Sequence, residues 1–254
     1  MPNALFFGQR LRISRAQAIE QYISFRLCAV DIMRLGFLRI QPINPTRIAQ
    51  PFDHLDWIFE VKHDGFRALA YVEHGKCQLI SRKQIVYKSF ADLSTALAKL
   101  PVANAILDGE LVCLGADGRS QFAELMRRRR RDAIFYAFDL LWHDGKDLRP
   151  LPLVERKRHL RRGRDRLLYA EQIQGLGVEL FREVCQRDIE GIVAKHRLGP
   201  YEATPVTWFK VLNPDYTQKR GRREMFERFN ARDGALPAEA HCTHSRRFDS
   251  SSRS

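Results

Sequence analysis

The sequence contains no long hydrophobic run, and its cysteines are few. No stretch of about 18 apolar residues occurs, so we expect no membrane span. The start of the chain lacks a basic segment followed by an apolar core, so we expect no signal peptide either. The cysteines are odd in number and lack metal-ligand spacing; they are Cys28, Cys77, Cys113, Cys185 and Cys242. Such usage predicts a protein of a reducing cytosol that holds no zinc.

Acidic residues are scarce relative to basic ones. The chain has 43 lysines and arginines against 30 aspartates and glutamates, which gives a formal net charge of +13. A charge of this sign favours a polyanionic partner such as nucleic acid, although acidic proteins and membrane surfaces are alternatives. The densest basic segment is Arg127–Arg131, which is either a solvated helix end or loop, or a phosphate clamp for DNA.

The most informative segment reads Glu-Val-Lys-His-Asp-Gly-Phe-Arg and spans residues 60–67. Lys62 closes a strand-like run that begins at Trp57, and the Asp-Gly pair after it favours a tight turn. A lysine becomes a nucleophile once desolvation or nearby cations lower its pKa. The turn would bring Arg67 back toward the same phosphate or sugar. A surface hairpin is the alternative interpretation, because Asp-Gly is common in such turns.

Further segments follow this one in a fixed order along the chain. They are Leu107–Val112, Tyr136–Leu141, Glu190–Lys195 and Trp208–Val211. In order and spacing, these segments and residues 60–67 resemble the nucleotidyl-transfer motifs of ATP-dependent DNA ligases. The resemblance covers roughly residues 41–228, and the chain looks most like the ligase module of bacterial end-joining ligases. Each segment alone is weakly specific, since an apolar strand with one aromatic residue is usually part of a core.

The resemblance implies a reaction and a set of site residues. Lys62 is implied to attack the α-phosphate of ATP and to hold AMP covalently, before AMP passes to a DNA 5′-phosphate and a 3′-hydroxyl seals the strand. Cations and a divalent metal stabilise the dispersed negative charge of such transition states. Glu110 and Glu190 are the implied ligands of Mg²⁺ or Mn²⁺. The implied nucleotide-binding residues are Glu60 at the adenine edge, Arg67 and Glu110 near the ribose or phosphate, Phe138 on the purine face, Lys195 and Lys210 at the α-phosphate, and Arg82 at the nick 5′-phosphate.

Three features depart from the ligase pattern. Lys83 and Gln84 follow Arg82 where the family has Asn-Gly, which puts the geometry of that loop in doubt. Leu212 stands where a second phosphate-binding lysine is expected, and Lys219 or Arg220 are candidates to compensate for it. The sequence ends at Ser254, so we expect the C-terminal OB-fold domain of ligases to be lacking. Self-adenylylation should then be slow, and strand sealing should depend on basic surface or on a separate protein.

Long strands interrupted by helices, without regular βαβ alternation, predict an α+β domain of antiparallel sheets flanked by helices. This class agrees with the ATP-grasp-like nucleotidyltransferase fold that the resemblance implies. The predicted strands are 57–62, 68–73, 77–81, 105–114, 134–142, 192–195 and 207–212, and the predicted helices are 89–100, 153–162 and 178–187. A hairpin-like turn is predicted at residues 116–118.

The expected organisation is an adenylation domain over residues 41–228 between two segments of different character. Residues 1–40 form an N-terminal extension with two alternative interpretations. Either it is a real helical extension, or Met33 is the true start of the protein and residues 1–32 are not translated. Residues 229–254 are polar and rich in serine and arginine, so we expect a disordered basic tail.

The leading hypothesis is an ATP-dependent DNA ligase-type adenylyltransferase that acts on nicked or broken double-stranded DNA in repair or recombination. It would work in the cytoplasm at the nucleoid, with or without a separate DNA-binding or end-joining partner. One alternative is a catalytically weak or inactive DNA- or nucleotide-binding relic of the ligase fold. Another is an RNA ligase or a capping-type guanylyltransferase.

Overall fold

The structure is a computed structural model that describes residues 39–126, 132–160 and 166–219. The predictions for Arg127–Arg131, for the N-terminal extension before Arg39 and for residues 220–254 lie outside these residues. The chain divides into two compact units, residues 1–217 and 218–254, and the first unit contains all the described strands and α-helices.

Eleven short strands and four α-helices make up the described part of this unit. The strands are β1 (Thr46–Arg47), β2 (Trp57–Lys62), β3 (Phe66–Glu73), β4 (Lys76–Ser81), β5 (Asn104–Val112), β6 (Ile134–His143), β7 (Lys146–Asp147), β8 (Leu167–Tyr169), β9 (Ile173–Gln174), β10 (Gly191–His196) and β11 (Trp208–Leu212). The helices are α1 (Ala91–Leu97), α2 (Phe122–Met126), α3 (Leu153–Arg158) and α4 (Gly177–Gln186).

The strands form two sheets. Sheet A has the order β1-β11-β10-β2-β9, and sheet B has the order β4-β3-β5-β6-β7 with β8 paired to β6. All pairings are antiparallel except β1 with β11 and β6 with β8. The prediction of an α+β domain with antiparallel sheets is therefore confirmed.

Helix α4 covers one face of sheet A. Its apolar side chains Leu180, Phe181 and Val184 recur at helical spacing and pack against Phe59 of β2, Ile192 and Ala194 of β10, Val211 of β11 and Ile48. Since side chains alternate along a strand, the neighbours of these residues lie on the opposite face of the sheet. That opposite face carries Glu60 and Lys62.

A second apolar cluster closes one end of the space between the two sheets. Trp208 of sheet A packs there with Leu69, Tyr71 and Ile106 of sheet B. Ile40 and Ile43 join this cluster, and the hydroxyl of Tyr71 accepts a hydrogen bond from the Ile40 backbone N–H. The sheets therefore enclose a cleft that is closed at the Trp208 end and open at the Lys62 end.

The chain crosses from sheet A to sheet B at the Asp64-Gly65 step, between the end of β2 and the start of β3. A Cβ atom at Gly65 would lie 2.1 Å from the Leu111 carbonyl oxygen, so only glycine fits this close approach. The Asp-Gly pair is thus a crossover between the sheets rather than a surface hairpin.

Three local expectations were wrong or incomplete. The helix predicted at residues 89–100 is a 3₁₀ turn, Lys88–Phe90, followed by the shorter α1. The turn predicted at residues 116–118 is present, with an antiparallel bridge between Leu114 and Ser120, but helix α2 follows it instead of a strand. The strand predicted at residues 68–73 begins earlier, since β3 starts at Phe66. No helix within the described residues is long and apolar enough to cross a membrane.

Candidate active site

The pairing register of sheet A arranges the predicted site residues in rows on its cleft face. One row holds Lys62, Gly191 and Leu212, and the next holds Glu60, Val193 and Lys210. The third row, toward the closed end, holds Ile58, Lys195 and Trp208. Paired residues on neighbouring strands project to the same side of a sheet. Segments that are far apart in sequence thus present their polar residues to one cleft.

Lys62 lies at the open end of the cleft and contacts Glu190. Its Nζ donates a hydrogen bond to Glu190 Oε2 at 2.7 Å, and the lysine side chain keeps 23% of its surface exposed. The other face of β2 is packed under α4, so the nucleophile candidate stands on a rigid strand at the edge of solvent. The structure therefore brings together the two residues that the sequence assigned to covalent attack and metal binding.

Glu60 lies deeper, between two lysines. Its Oε2 pairs with Lys195 Nζ at 2.6 Å, and its Oε1 accepts a hydrogen bond from Lys157 Nζ of α3 at 2.5 Å. Although burial opposes ionisation, these two ammonium groups hold the pKa of the Glu60 carboxyl below its usual value. Burial lowers the pKa of Lys195 to about 8, even though Glu60 acts in the opposite direction.

Lys195 is therefore not adjacent to Lys62. Its row is four residues from Lys62 along β2, which is about 13 Å at the rise of a strand. Its ammonium group points at Glu60, and only 2% of its side chain is exposed. The α-phosphate role of Lys195 remains a prediction, and it requires the ammonium group to leave Glu60 when nucleotide binds.

Sheet B supplies Arg67, which is fixed by a carboxylate. Its Nε and Nη2 donate to the two oxygens of Asp108 at 2.6 Å and 2.5 Å, and the Tyr201 hydroxyl donates to the same carboxylate at 2.6 Å. A two-point arginine–carboxylate contact fixes the guanidinium plane. Arg67 thus lines the cleft, but its Nε and Nη2 groups already donate hydrogen bonds to Asp108. The ribose or phosphate role of Arg67 stays a prediction.

Phe138 occupies an irregular position on β6. Asp108 pairs with Asp139 and Gly109 pairs with Ala137, so Phe138 is the extra residue of a β-bulge. Bulges re-aim side chains and are common beside active sites. The Phe138 ring lies 4.4 Å from the Arg67 guanidinium and 4.3 Å from Lys195 Nζ. The ring is therefore partly buried among cations in the inner half of the cleft, and its stacking on adenine stays a prediction.

Glu110 of β5 faces the open end and shows the electrostatic character of this region. Burial raises its pKa from 4.5 to about 7, with Glu190 and Asp64 adding to the rise and Lys62 and Arg67 opposing it. The charges of Glu190 and Asp64 thus repel the charge of an ionised Glu110 close to Lys62. A divalent cation would relieve this repulsion, and carboxylate oxygens are the donors that Mg²⁺ accepts.

The raised pKa of Glu110 predicts a pH dependence of stability. The folded protein keeps a proton on Glu110 that the unfolded chain loses between pH 4.5 and about 7. The contribution of Glu110 to the free energy of unfolding is therefore fully present below pH 4.5 and is lost as the pH rises through about 7. The free energy of unfolding, measured with urea from pH 4.5 to 8, should fall less steeply for Glu110→Gln than for wild type. The exposed Glu202→Gln is the matched control, and equal slopes for both variants would contradict the prediction.

Lys210, in the row of Glu60, and Arg82 add positive charge near Lys62. Burial and the neighbouring charges of Lys62, Arg82 and Arg47 lower the pKa of Lys210, while Glu190 raises it. The loop after Arg82 keeps a defined shape, because Gln84 adopts a left-handed conformation with φ of 61° where the family has glycine. The Gln84 side chain donates to the Ile40 carbonyl at 3.1 Å, which ties this loop to the core.

Three residues of the site were missed by the sequence analysis. Lys157 contacts Glu60, Asp108 holds Arg67, and His63 lies edge-on to Tyr136 at 4.4 Å. Burial and the charge of Lys62 lower the pKa of His63 to about 4. Asp108 belongs to the Leu-Asp-Gly-Glu segment, so the sequence offered a signal for this residue. Nothing in the sequence indicated Lys157.

Comparison with known proteins supports the resemblance to ATP-dependent DNA ligases that the sequence motifs indicated. A family model described as the ATP-dependent DNA ligase domain matches residues 42–211. Over 150 residues the chain is 34% identical to the multifunctional non-homologous end joining protein LigD of Mycolicibacterium smegmatis, covering 58% of this chain and 20% of that protein. It is 28% identical over 190 residues to the SPbeta prophage-derived DNA ligase-like protein LigB of Bacillus subtilis, covering 70% of this chain and 69% of that one.

Solved structures show the same fold. A mycobacterial DNA ligase D complexed with ATP and MES superposes with a TM-score of 0.61 at 28% identity, covering 68% of this chain and 60% of that one. The ligase domain of Mycobacterium tuberculosis LigD gives a TM-score of 0.57, covering 66% of this chain and 58% of that one. The chain spans about a fifth of the length of the LigD relatives it matches. The resemblance that the motifs indicated is confirmed.

Proposed function

The chain belongs to the ATP-dependent DNA ligase domain family, and from this we propose that it forms a covalent lysyl-AMP at Lys62. The observation that carries the proposal is the position of Lys62. It ends a rigid strand at the mouth of a cleft and contacts Glu190, while cations and carboxylates from both sheets surround it. The sequence segment, the register of the strands and the family membership each support the proposal of Lys62 as the nucleophile.

In the proposed reaction, the Lys62 nitrogen forms a bond to the α-phosphorus of ATP and pyrophosphate departs with the electrons of the broken P–O bond. The ammonium group must first lose a proton, because only the neutral amine has a lone pair. Glu190 is the carboxylate in contact with Nζ and would accept that proton. Lys210, on the same face of sheet A, would stabilise the negative charge on the phosphates.

We further propose that Glu110 and Glu190 hold Mg²⁺ or Mn²⁺. Within the described residues no group of three or more metal-binding side chains occurs, so the protein would supply two carboxylates and leave other positions to water and phosphate. When bound, the ion would neutralise charge on the phosphates. The chain's own residues would orient ATP, with the base toward Glu60 and Phe138 and the phosphates toward Lys62.

The later steps would transfer AMP to a DNA 5′-phosphate and join it to a 3′-hydroxyl. Nicked or broken double-stranded DNA is the proposed substrate, and repair by end joining is the proposed context, as in LigD. The net charge of +13 suits such a polyanion. A separate end-joining protein as partner and a location at the bacterial nucleoid complete the proposal.

Leu212 favours a second candidate, a relic of the fold that binds nucleotide without efficient catalysis. It lies in the same row as Lys62, where the family has a lysine, so one cation is missing beside the nucleophile. Such a relic would bind ATP without becoming covalently labelled.

One experiment separates these possibilities. The protein is incubated with Mg²⁺ and α-labelled ATP or GTP and then resolved by denaturing electrophoresis. A ligase should retain label from ATP only, and adding nicked DNA should remove that label as the strand is sealed. Retention of label from GTP would indicate a capping-type enzyme, and the absence of label from both nucleotides would support the relic. Release of label by nicked RNA but not by nicked DNA would indicate an RNA ligase.

A further inference from the structure

We propose that Arg47 completes a phosphate-binding site with Lys210 and Arg82, and that this site holds the β- and γ-phosphates of the nucleotide and the pyrophosphate that leaves. The inference rests on the proposed function and assigns a residue that lies outside every motif segment of the sequence. It also suggests how the chain compensates for Leu212.

The register of sheet A sets the direction in which Arg47 projects. Arg47 on β1 pairs with Lys210 on β11, so it extends the row formed by Glu60, Val193 and Lys210. Its neighbour Ile48 packs in the apolar cluster under α4, on the opposite face of the sheet. Since side chains alternate along a strand, Arg47 lies on the cleft face, as Lys62 does.

The distances fit a shared ligand. Neighbouring strands are about 4.8 Å apart, so the Cα atoms of Arg47 and Lys210 are close neighbours. The Arg47 charge is near enough to help lower the pKa of Lys210, together with Lys62 and Arg82. Arg82 approaches from the other side of the cleft, because it follows the last residue of β4 in sheet B.

The three cations of the proposed site differ from Lys62 in their ion pairing. Within the described residues, Arg47, Arg82 and Lys210 form no salt bridge, whereas Lys62 is paired with Glu190. Although Glu190 raises the pKa of Lys210, burial and the three neighbouring cations lower it, so an anion that joins Arg47, Arg82 and Lys210 would relieve their mutual repulsion. Exposed Arg47 is also free to reach a ligand in solvent, and an arginine can bind a phosphate with two parallel hydrogen bonds.

The shape of the cleft indicates that the bound anion is the β- and γ-phosphates of the nucleotide. The base end is closed by Trp208 and by the Glu60–Lys195 pair, so a nucleotide attached at Lys62 extends its phosphates away from that end, toward solvent. Arg47 and Lys210 lie one row inward from Lys62, on the strands at the solvent-exposed β1 edge of sheet A, and the phosphates reach them by turning toward this edge. In the family pattern a lysine at position 212 would serve the phosphates from the row of Lys62, and Arg47 supplies a cation from the adjacent row instead.

Binding of inorganic pyrophosphate by the full chain, measured by calorimetry in the presence of Mg²⁺, tests the site without requiring catalysis. Arg47→Ala should weaken binding by about tenfold, the usual effect of losing a hydrogen bond between charged groups. Arg47→Lys should keep most of the affinity, because the charge remains. Leu212→Lys added to Arg47→Ala should restore it. Arg182→Ala is the matched control, since Arg182 is an exposed arginine of α4 on the other side of sheet A.

The covalent reaction supplies a second measurement. With α-labelled ATP, Arg47→Ala should label about tenfold more slowly at low ATP, and the reverse reaction should need about tenfold more pyrophosphate. Sealing of a nick that already carries AMP should be unchanged, because pyrophosphate takes no part in that step.

The site is overturned if Arg47→Ala binds pyrophosphate as well as Arg182→Ala does, or if Arg47→Lys binds as weakly as Arg47→Ala. A failure of Leu212→Lys to restore binding overturns the compensation for Leu212. Slower sealing of the adenylylated nick with unchanged pyrophosphate binding would make Arg47 a DNA contact instead. If wild-type protein binds pyrophosphate through Arg47 but acquires no covalent label, the phosphate site stands and the proposed function fails.

Discussion

Replacement of Lys62 by alanine should abolish the covalent AMP. Removing the nucleophile of an enzyme with a covalent intermediate lowers the rate by a factor on the order of 10⁶, which places the label below detection. The variant should still fold, because Lys62 is partly exposed and its salt bridge with Glu190 lies at the open end of the cleft. Labelling with α-labelled ATP, followed by denaturing electrophoresis, measures the effect.

Two further variants make this test specific. Lys62→Arg keeps the positive charge but cannot attack, since an arginine stays protonated, so it should also remain unlabelled. Lys76→Ala removes an exposed lysine at the start of β4 and should label like wild type. Urea unfolding of each variant shows that the fold is intact. Wild-type labelling of Lys62→Ala would falsify Lys62 as the nucleophile.

The sequence was sufficient to predict several residues of the cleft, because alternation along a strand and the Asp-Gly step are local features. Glu60 and Lys62 are two residues apart on a strand, so alternation places both on one face. The Asp-Gly step after them fixes a crossover, and Gly65 fits only because Leu111 approaches closely. Antiparallel neighbours then bring Glu190 and Lys210 to the same cleft.

The contacts that set the chemistry of the cleft were harder to foresee because their partners are distant in sequence. Lys157 meets Glu60 across 97 residues, and Tyr201 meets Asp108 across 93. No spacing rule links such residues; only the packing of α3 and of the segment around Tyr201 brings them together. The bulge at Phe138 and the left-handed Gln84 likewise depend on tertiary contacts that override local preference.

Helix α3 connects the two sheets through adjacent residues, and its buried ion pair gives the largest expected effect on stability. Lys157 contacts Glu60 of sheet A, while Arg156 makes two hydrogen bonds of 2.8 Å to Asp139 of sheet B. Arg156 also donates to the carbonyls of Leu151 and Gly199. Both members of the Arg156–Asp139 pair are 0% exposed, so neither charge has water as a substitute partner.

Arg156→Ala should therefore lower the free energy of unfolding by about 3–5 kcal/mol, because it leaves the Asp139 carboxylate buried without its cation. The surface pair of Arg149 and Asp147 is the matched control, since both side chains are about one-third exposed. Arg149→Ala should cost at most about 1 kcal/mol. Urea denaturation followed by circular dichroism measures both values.

A double variant separates the burial of a charge from the loss of packing at this position. Arg156→Met combined with Asp139→Leu removes both charges and keeps apolar volume, so it should be more stable than Arg156→Ala. Arg156→Lys keeps a charge without the two-point contact and provides an intermediate if Arg156→Ala does not fold. A loss below about 1 kcal/mol for Arg156→Ala would show that Asp139 finds another partner and that α3 does not depend on this pair to join sheet B. If the loss is as predicted, the Arg156–Asp139 pair stabilises the strand that positions Phe138, because Asp139 is the residue next to Phe138 on the bulged strand β6.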